Sequence, residues 1–136
     1  MQPAGYSGTP LAKKLGIKGG FKASLINAPE YYLHLFTDLP ADVYFETNED
    51  VQIDFIHFFT KSQDEYKEIL PRLKDRIKPN GMIWISWPKK ASKVPTDITE
   101  DIIRNFALQT GLVDIKVCAV DETWSGLKLV IPVKNR

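Results

Sequence analysis

Residues 78–100, KPNGMIWISWPKKASKVPTDITE, read in order as a turn, a strand, a lysine-rich loop and a capped helix. Pro79-Asn80-Gly81 is a turn signal. Met82 to Trp87 is apolar at nearly every position, the pattern of a strand covered on both faces. Lys89, Lys90 and Lys93 crowd the loop that follows, and Asp97 and Glu100 precede a helical pattern. In an open α/β sheet such a loop leaves the carboxyl end of a central strand, where these folds bind ligands.

A second apolar run, Ile53 to Phe59 (IDFIHFF), has the same signature. Ser62-Gln63-Asp64-Glu65 is a capping box, and Tyr66, Ile69, Leu70, Leu73 and Ile77 then recur at helical spacing. Pro71 inside that helix predicts a kink or a division. Ile98, Ile102, Ile103, Phe106 and Ala107 mark another helix, ended by Gly111. Val113–Val120 and Gly126–Val133 form a closing antiparallel hairpin about Asp121–Ser125. Upstream, Thr9-Pro10 opens a short helix that Gly16 ends. Phe21–Ile26 is a strand broken at Asn27-Ala28-Pro29, Tyr31–Thr37 a short helix, and Val43–Glu46 a short strand. Strands without polar faces alternating with helices predict an α/β three-layer sandwich with a mostly parallel sheet and a C-terminal antiparallel hairpin. Residues 1–20 are expected to form an arm and short helix, and residues 21–136 a single domain.

The chain of 136 residues carries 18 basic and 17 acidic side chains, a net charge of +1 that gives no global argument for nucleic acid or membrane binding. One cysteine, Cys118, excludes an intramolecular disulfide and a Cys-based zinc site. No apolar stretch reaches signal-peptide or membrane-span length, so a cytoplasmic, bacterial-type protein is expected.

The phrase Ile77-Lys78-Pro79-Asn80-Gly81 before a strand, with the hairpin after Gly111-Leu112, resembles a shortened class I methyltransferase-type Rossmann fold over residues 20–133. Tyr6–Gly16 (YSGTPLAKKLG), Leu25–Pro29, Trp87–Ser92 (WPKKAS), Thr96–Asp101 and Asp121–Leu127 (DETWSGL) also resemble a small bacterial family carried as a domain of unknown function, which implies no activity.

Methyltransferases and dinucleotide enzymes need glycines after the first strand, so that the backbone can approach the ligand. Asn27-Ala28-Pro29-Glu30 has none, and its proline removes an amide donor. Glu46, ending the second strand, stands where a ribose-binding acid would. The loop Pro88–Lys93 is the main candidate. Lys89, Lys90 and Lys93, with Ser92, Thr96 and a helix N-terminus, would form an anion cradle. Lys61 would reach the same rim, Asn27 would add an amide and Trp87 a flat wall. The plainer reading is a solvated loop. Asp121, Glu122 and Trp124 join the candidate ligand-binding residues, the plainer readings being that Asp121 and Glu122 pair with Lys89 or Lys90 and that Trp124 plugs the core instead of covering a pocket. His57 reads as a buried, satisfied core residue. With His34 it makes the only two histidines, a poor basis for a metal site. The arm Gly5–Thr9 is either disordered or folds over the sheet through Tyr6.

The reading that follows is a non-catalytic or degenerate Rossmann-like domain without a cofactor, binding a small anionic ligand or a protein partner at the carboxyl end of its sheet. Two alternatives stand beside it. One is a transferase dependent on S-adenosylmethionine or a nucleotide, with an atypical cofactor pose. The other is a structural or regulatory interaction protein, such as a homodimer.

Overall fold

The computed structural model describes residues 9–136. The strands are β1 (Lys22–Ile26), β2 (Tyr44–Phe45), β3 (Ile53–Phe59), β4 (Ile77–Pro88), β5 (Val113–Ala119) and β6 (Trp124–Val130). The helices are α1 (Leu11–Leu15), α2 (Gln63–Arg76) and α3 (Glu100–Thr110). The strands make one six-stranded sheet in the order β2-β1-β3-β4-β6-β5. The β1, β2, β3 and β4 pairings are parallel, and β6 runs antiparallel to both β4 and β5. The two apolar runs of the sequence are thus the central pair.

Alternation along these strands divides the core into two layers. Ile56, Phe58, Ile83, Ile85, Trp87, Leu127 and Leu129 pack beneath Tyr66, Leu70 and Leu73 of α2 and Ile103 and Ala107 of α3. Phe55, Phe59, Met82, Trp84, Trp124 and Val130 face the other way, onto Leu11, Ala12 and Leu15 of α1 and onto Tyr32. This is the expected three-layer sandwich. The second layer draws α1 into the same core as the sheet, across the boundary expected near residue 20.

Four local expectations change. Pro79-Asn80-Gly81 is no turn between elements but an excursion within β4. Ile53 pairs with Ile77, while Phe55 pairs with Met82. The irregularity explains why Ile53 and Phe55, two apart, face opposite layers. Glycine is required at position 81, because a Cβ there would lie 3.0 Å from the Ile53 carbonyl oxygen. Secondly, α2 runs through Pro71 as one helix. Thirdly, the N-cap position of α1 is Pro10, and Asp38 supplies the capping oxygens, accepting from the N–H groups of Ala12 (2.9 Å) and Lys13 (3.0 Å). The helix expected over Tyr31–Thr37 shortens to a 3₁₀ turn, Tyr32–Leu35. The arm Gly5–Thr9 lies, but for Thr9, outside the described residues.

His57 is fully buried, and both ring nitrogens are bonded, Nδ1 to the Tyr32 hydroxyl (2.9 Å) and Nε2 to Ser86 Oγ (2.7 Å). It is the satisfied core residue that its surroundings in IDFIHFF predict.

Candidate functional site

β1 has β2 on one side and β3 on the other, so the switch point of the sheet lies between the carboxyl ends of β1 and β3. Asn27, which follows β1, takes a left-handed conformation (φ 57°), and its Nδ2 donates to the Phe59 carbonyl at 3.2 Å. The amide offered as a ligand contact therefore bridges the two strand ends.

The lysine loop is built differently from a cradle. Lys90–Ser92 forms a 3₁₀ turn closed by Lys93 at φ 61°. Ser92 Oγ donates to the Lys89 carbonyl (2.6 Å) and accepts from Val94 N (3.3 Å), so the hydroxyl serves its own turn. α3 begins only at Glu100, beyond Val94-Pro95, and Thr99 caps it by accepting from Ile102 N at 3.3 Å. Asp97 reaches the N-terminus of α2, where it accepts from Gln63 N at 2.9 Å beside the Ser62 cap. Thr96 Oγ1 donates to the Lys61 carbonyl at 2.7 Å, which brings Lys61 to the far end of the loop. The chain's own oxygens thus occupy both helix N-termini. What remains of the cradle is the exposed charge of Lys61, Lys90 and Lys93 with half-buried Lys89.

Trp87 is not a wall of this site. It is 8% exposed and belongs to the layer under α2 and α3. Trp124, also 8% exposed, plugs the opposite layer, with its ring edge-on to Phe59 at 5.1 Å. Asp121 makes no ion pair with Lys89 or Lys90 among the described residues. One carboxylate oxygen accepts from Thr123 N (2.8 Å) and Trp124 N (2.7 Å), and the other from the Tyr31 hydroxyl (2.9 Å). Burial and the Asp121 carboxylate push the Tyr31 phenol up from its ordinary range. The clasp between loop and hairpin is a backbone bond, Lys89 N to the Thr123 carbonyl at 2.7 Å. Glu122 is exposed. Asp121→Ala should therefore cost about 2–3 kcal/mol of folding stability, since three donors lose a charged acceptor. Glu122→Ala should stay within about 0.5 kcal/mol. Urea denaturation of the two variants checks this, and equal midpoints would contradict it.

Glu46 follows β2 as expected, but its Oε2 accepts from the N–H groups of Thr47 (3.0 Å) and Asn48 (3.2 Å). It edges a groove of about 640 Å³ on the α2 side of the sheet, lined also by Ser24, Ile26, Ile69, Leu73 and Arg76. The groove has a structural cause. A parallel crossover usually carries a helix, whereas β2 passes to β3 through Glu46–Gln52 alone and leaves β1 uncovered there. Arg76 holds that connection, with NH1 donating to Ser24 Oγ (3.0 Å) and NH2 to the Asn48 carbonyl (3.1 Å), while its Nε is buried without a partner. The signal was present in the sequence as a strand-to-strand link too short for a helix. A second hollow, about 460 Å³, lies between α1 and β5 among Lys13, Lys14 and Lys116. Nothing local in the sequence joins Lys13 and Lys14 to Lys116.

Among the described residues no group of His, Cys, Asp and Glu could hold a metal ion, and no helix is long and apolar enough to cross a membrane.

No family model matches the chain, including any for the small bacterial family that Tyr6–Gly16 and Asp121–Leu127 resemble, and no curated protein matches it. Solved structures do match. A structure assigned as a type 11 methyltransferase from Sulfolobus solfataricus aligns with a TM-score of 0.63 at 14% identity, covering 89% of this chain and 89% of that one. The fold is methyltransferase-like. A ribosomal protein L11 methylase from Lactobacillus delbrueckii subsp. bulgaricus aligns at 0.58 with 9% identity, over 88% of this chain and 74% of its own. Magnesium protoporphyrin IX methyltransferase from Synechocystis, solved with bound S-adenosylmethionine, aligns at 0.56 with 9% identity, over 89% and 74%. At such identities the methyltransferase-like likeness establishes the fold alone.

Proposed function

We propose that this chain is a binding domain on a methyltransferase-like scaffold, non-catalytic, that takes a small anionic ligand or a protein partner at the carboxyl end of its sheet. The observation that carries this is Asn27. A cofactor laid across the switch point needs glycines and free amides after β1. Here that turn is Asn27-Ala28-Pro29, and the Asn27 side chain ties β1 to the end of β3. Titration calorimetry and thermal shift with S-adenosylmethionine and S-adenosylhomocysteine test the reading. A ligand that binds only the native state raises the melting temperature by mass action. No heat and no shift are expected from either compound, and saturable binding of either would overturn the proposal.

A second reading has its own support. The likeness to solved methyltransferases over most of both chains favours a transferase dependent on S-adenosylmethionine or a nucleotide, with an atypical cofactor pose. Glu46 lines the groove under the Glu46–Gln52 connection, so a cofactor held there would lie on the α2 face instead of across the strand ends. Under this reading Glu46→Gln abolishes any adenosyl-compound binding that the native chain displays, and methyl transfer becomes measurable on a suitable acceptor.

A further inference from the structure

The geometry points to the hollow between α1 and β5 as the seat of a phosphate or pyrophosphate group carried by a small molecule. This rests on the anionic-ligand reading above and moves its seat away from the loop Lys89–Lys93.

The hollow, about 460 Å³, has the size of a small-molecule site. Lys13, Lys14 and Lys116 line it, with Thr9 and Cys118. Long-range bonds fix its two walls. Lys14 Nζ donates to the Ala119 carbonyl (3.0 Å), Lys116 Nζ donates to the Lys14 carbonyl (2.8 Å), and Trp84 Nε1 donates to the Leu15 carbonyl (2.8 Å). An ammonium has three donors, and Lys116 uses one of them on that carbonyl. Lys13 and Lys116 are exposed at the rim.

Among the described residues no carboxylate forms an ion pair with Lys13 or Lys116. The Asp38 carboxylate keeps its negative charge at the start of α1, where it caps the helix by accepting from the N–H groups of Ala12 and Lys13. The described ion pairs all lie elsewhere, on Arg72, Lys78 and Arg104. Residues 1–8, MQPAGYSG, contain no acid. The positive field extends beyond the hollow. Burial pushes the Cys118 thiol up, and the charges of Lys14, Lys116 and Lys89 pull against it. Burial, then Lys116 and Lys18, hold the Lys128 ammonium below its ordinary range. In a chain of net charge +1, this is segregation of charge onto one place.

Lys13 and Lys116, brought together from two elements with no ion pair to either, offer an anion two ammonium groups. A phosphate offers several acceptor oxygens to ammonium groups arriving from two elements, and lysine meets it as a point charge. The concave shape favours a small molecule over a membrane or a nucleic acid strand, which would call for a broad face or a stripe.

The test is calorimetric titration of inorganic pyrophosphate into the full chain at constant ionic strength. Sodium chloride and sulfate serve as controls, with phosphatidylglycerol vesicles and a short single-stranded RNA as parallel arms. Pyrophosphate is expected to bind in preference to sulfate, about tenfold more weakly in Lys13→Gln and in Lys116→Gln, and unchanged in Lys90→Gln/Lys93→Gln. Lys116→Gln also removes a bond to α1. Lys13→Gln, whose side chain makes no such bond, keeps the result interpretable if that variant unfolds. Affinity lost in Lys90→Gln/Lys93→Gln but kept in the hollow's variants would overturn this seat and leave the anionic-ligand reading standing at the loop. No pyrophosphate binding by the native chain would overturn this seat, while the reading above keeps its own test with the adenosyl compounds. Vesicles or RNA binding more tightly than pyrophosphate would overturn the small-molecule seat.

Discussion

Replacing Trp84 with alanine is expected to destabilise the chain by about 3–5 kcal/mol, the range for deleting a fully buried large aromatic side chain. Trp84 is 0% exposed on the central strand β4. Its ring lies against Gly126, where an added Cβ would approach Cε3 to 3.0 Å, so the opposite strand leaves space for this indole. Its Nε1 also reaches the Leu15 carbonyl at 2.8 Å and thereby holds α1 to the sheet. Small domains have only about 5–15 kcal/mol in total, so the melting temperature should fall on the order of 10 °C. Trp84→Phe separates the two contributions. It keeps most of the packing and leaves the Leu15 carbonyl without its donor, a loss of about 1–3 kcal/mol. Urea melts of both variants give the measurement. Alanine and phenylalanine variants with the same midpoint would show that the bond to α1, and not the packing, carries the effect. Because α1 forms one wall of the lysine hollow, Trp84→Phe should also weaken pyrophosphate binding without removing any charge.

The strands that make the centre of the sheet are readable in the sequence because a strand buried on both faces has almost no polar positions. IDFIHFF and MIWISW therefore stand out, and their helices follow from apolar spacing and caps. What such a run cannot report is which residue faces which layer. Trp84 and Trp87 look alike in MIWISW, yet one supports α1 and the other lies under α2 and α3. The excursion at Lys78–Gly81 was hidden for a related reason, because Pro-Asn-Gly signals a turn locally and only pairing with Ile53 and Phe55 makes it part of a strand.

The candidate site was less legible. Local pattern placed lysines beside a helix start, but the N–H groups there belong to Thr99 and, on α2, to Ser62 and Asp97. Capping oxygens satisfy the donors that an anion would have used. Asp121 looked like a counter-charge and is instead the acceptor that shapes its own hairpin. The hollow that does concentrate positive charge combines Lys13 and Lys14 with Lys116, from opposite ends of the chain, and only the packing of α1 on β5 brings them together.

Lowering the pH from 7 to 4 is expected to remove about 3 kcal/mol of stability through His57 alone. Burial lowers the pKa of its imidazole from 6.5 to about 3. The ring is stacked on Phe59 at 4.2 Å and flanked edge-on by Phe55 and Tyr32, and its two polar contacts are the neutral hydroxyls of Tyr32 and Ser86. Those hydroxyls satisfy a neutral ring, one as donor and one as acceptor, but bring no negative charge to balance an imidazolium. In the unfolded chain the same ring takes up a proton near its ordinary value. Between pH 6.5 and about 3 the unfolded state therefore binds more protons than the folded state, and stability falls as pH falls. Above pH 6.5 the contribution is complete and flat. Native carboxylates add a slope of their own in acid, so the comparison is with His57→Gln, which cannot titrate and can still donate and accept. That variant should be less stable at pH 7 and lose less on acidification, so that the two stability curves converge toward pH 4. Parallel curves from pH 7 to pH 4 would mean that His57 gains its proton in the folded state as readily as in the unfolded one, and the sealed Tyr32–His57–Ser86 chain would have to open to water in solution.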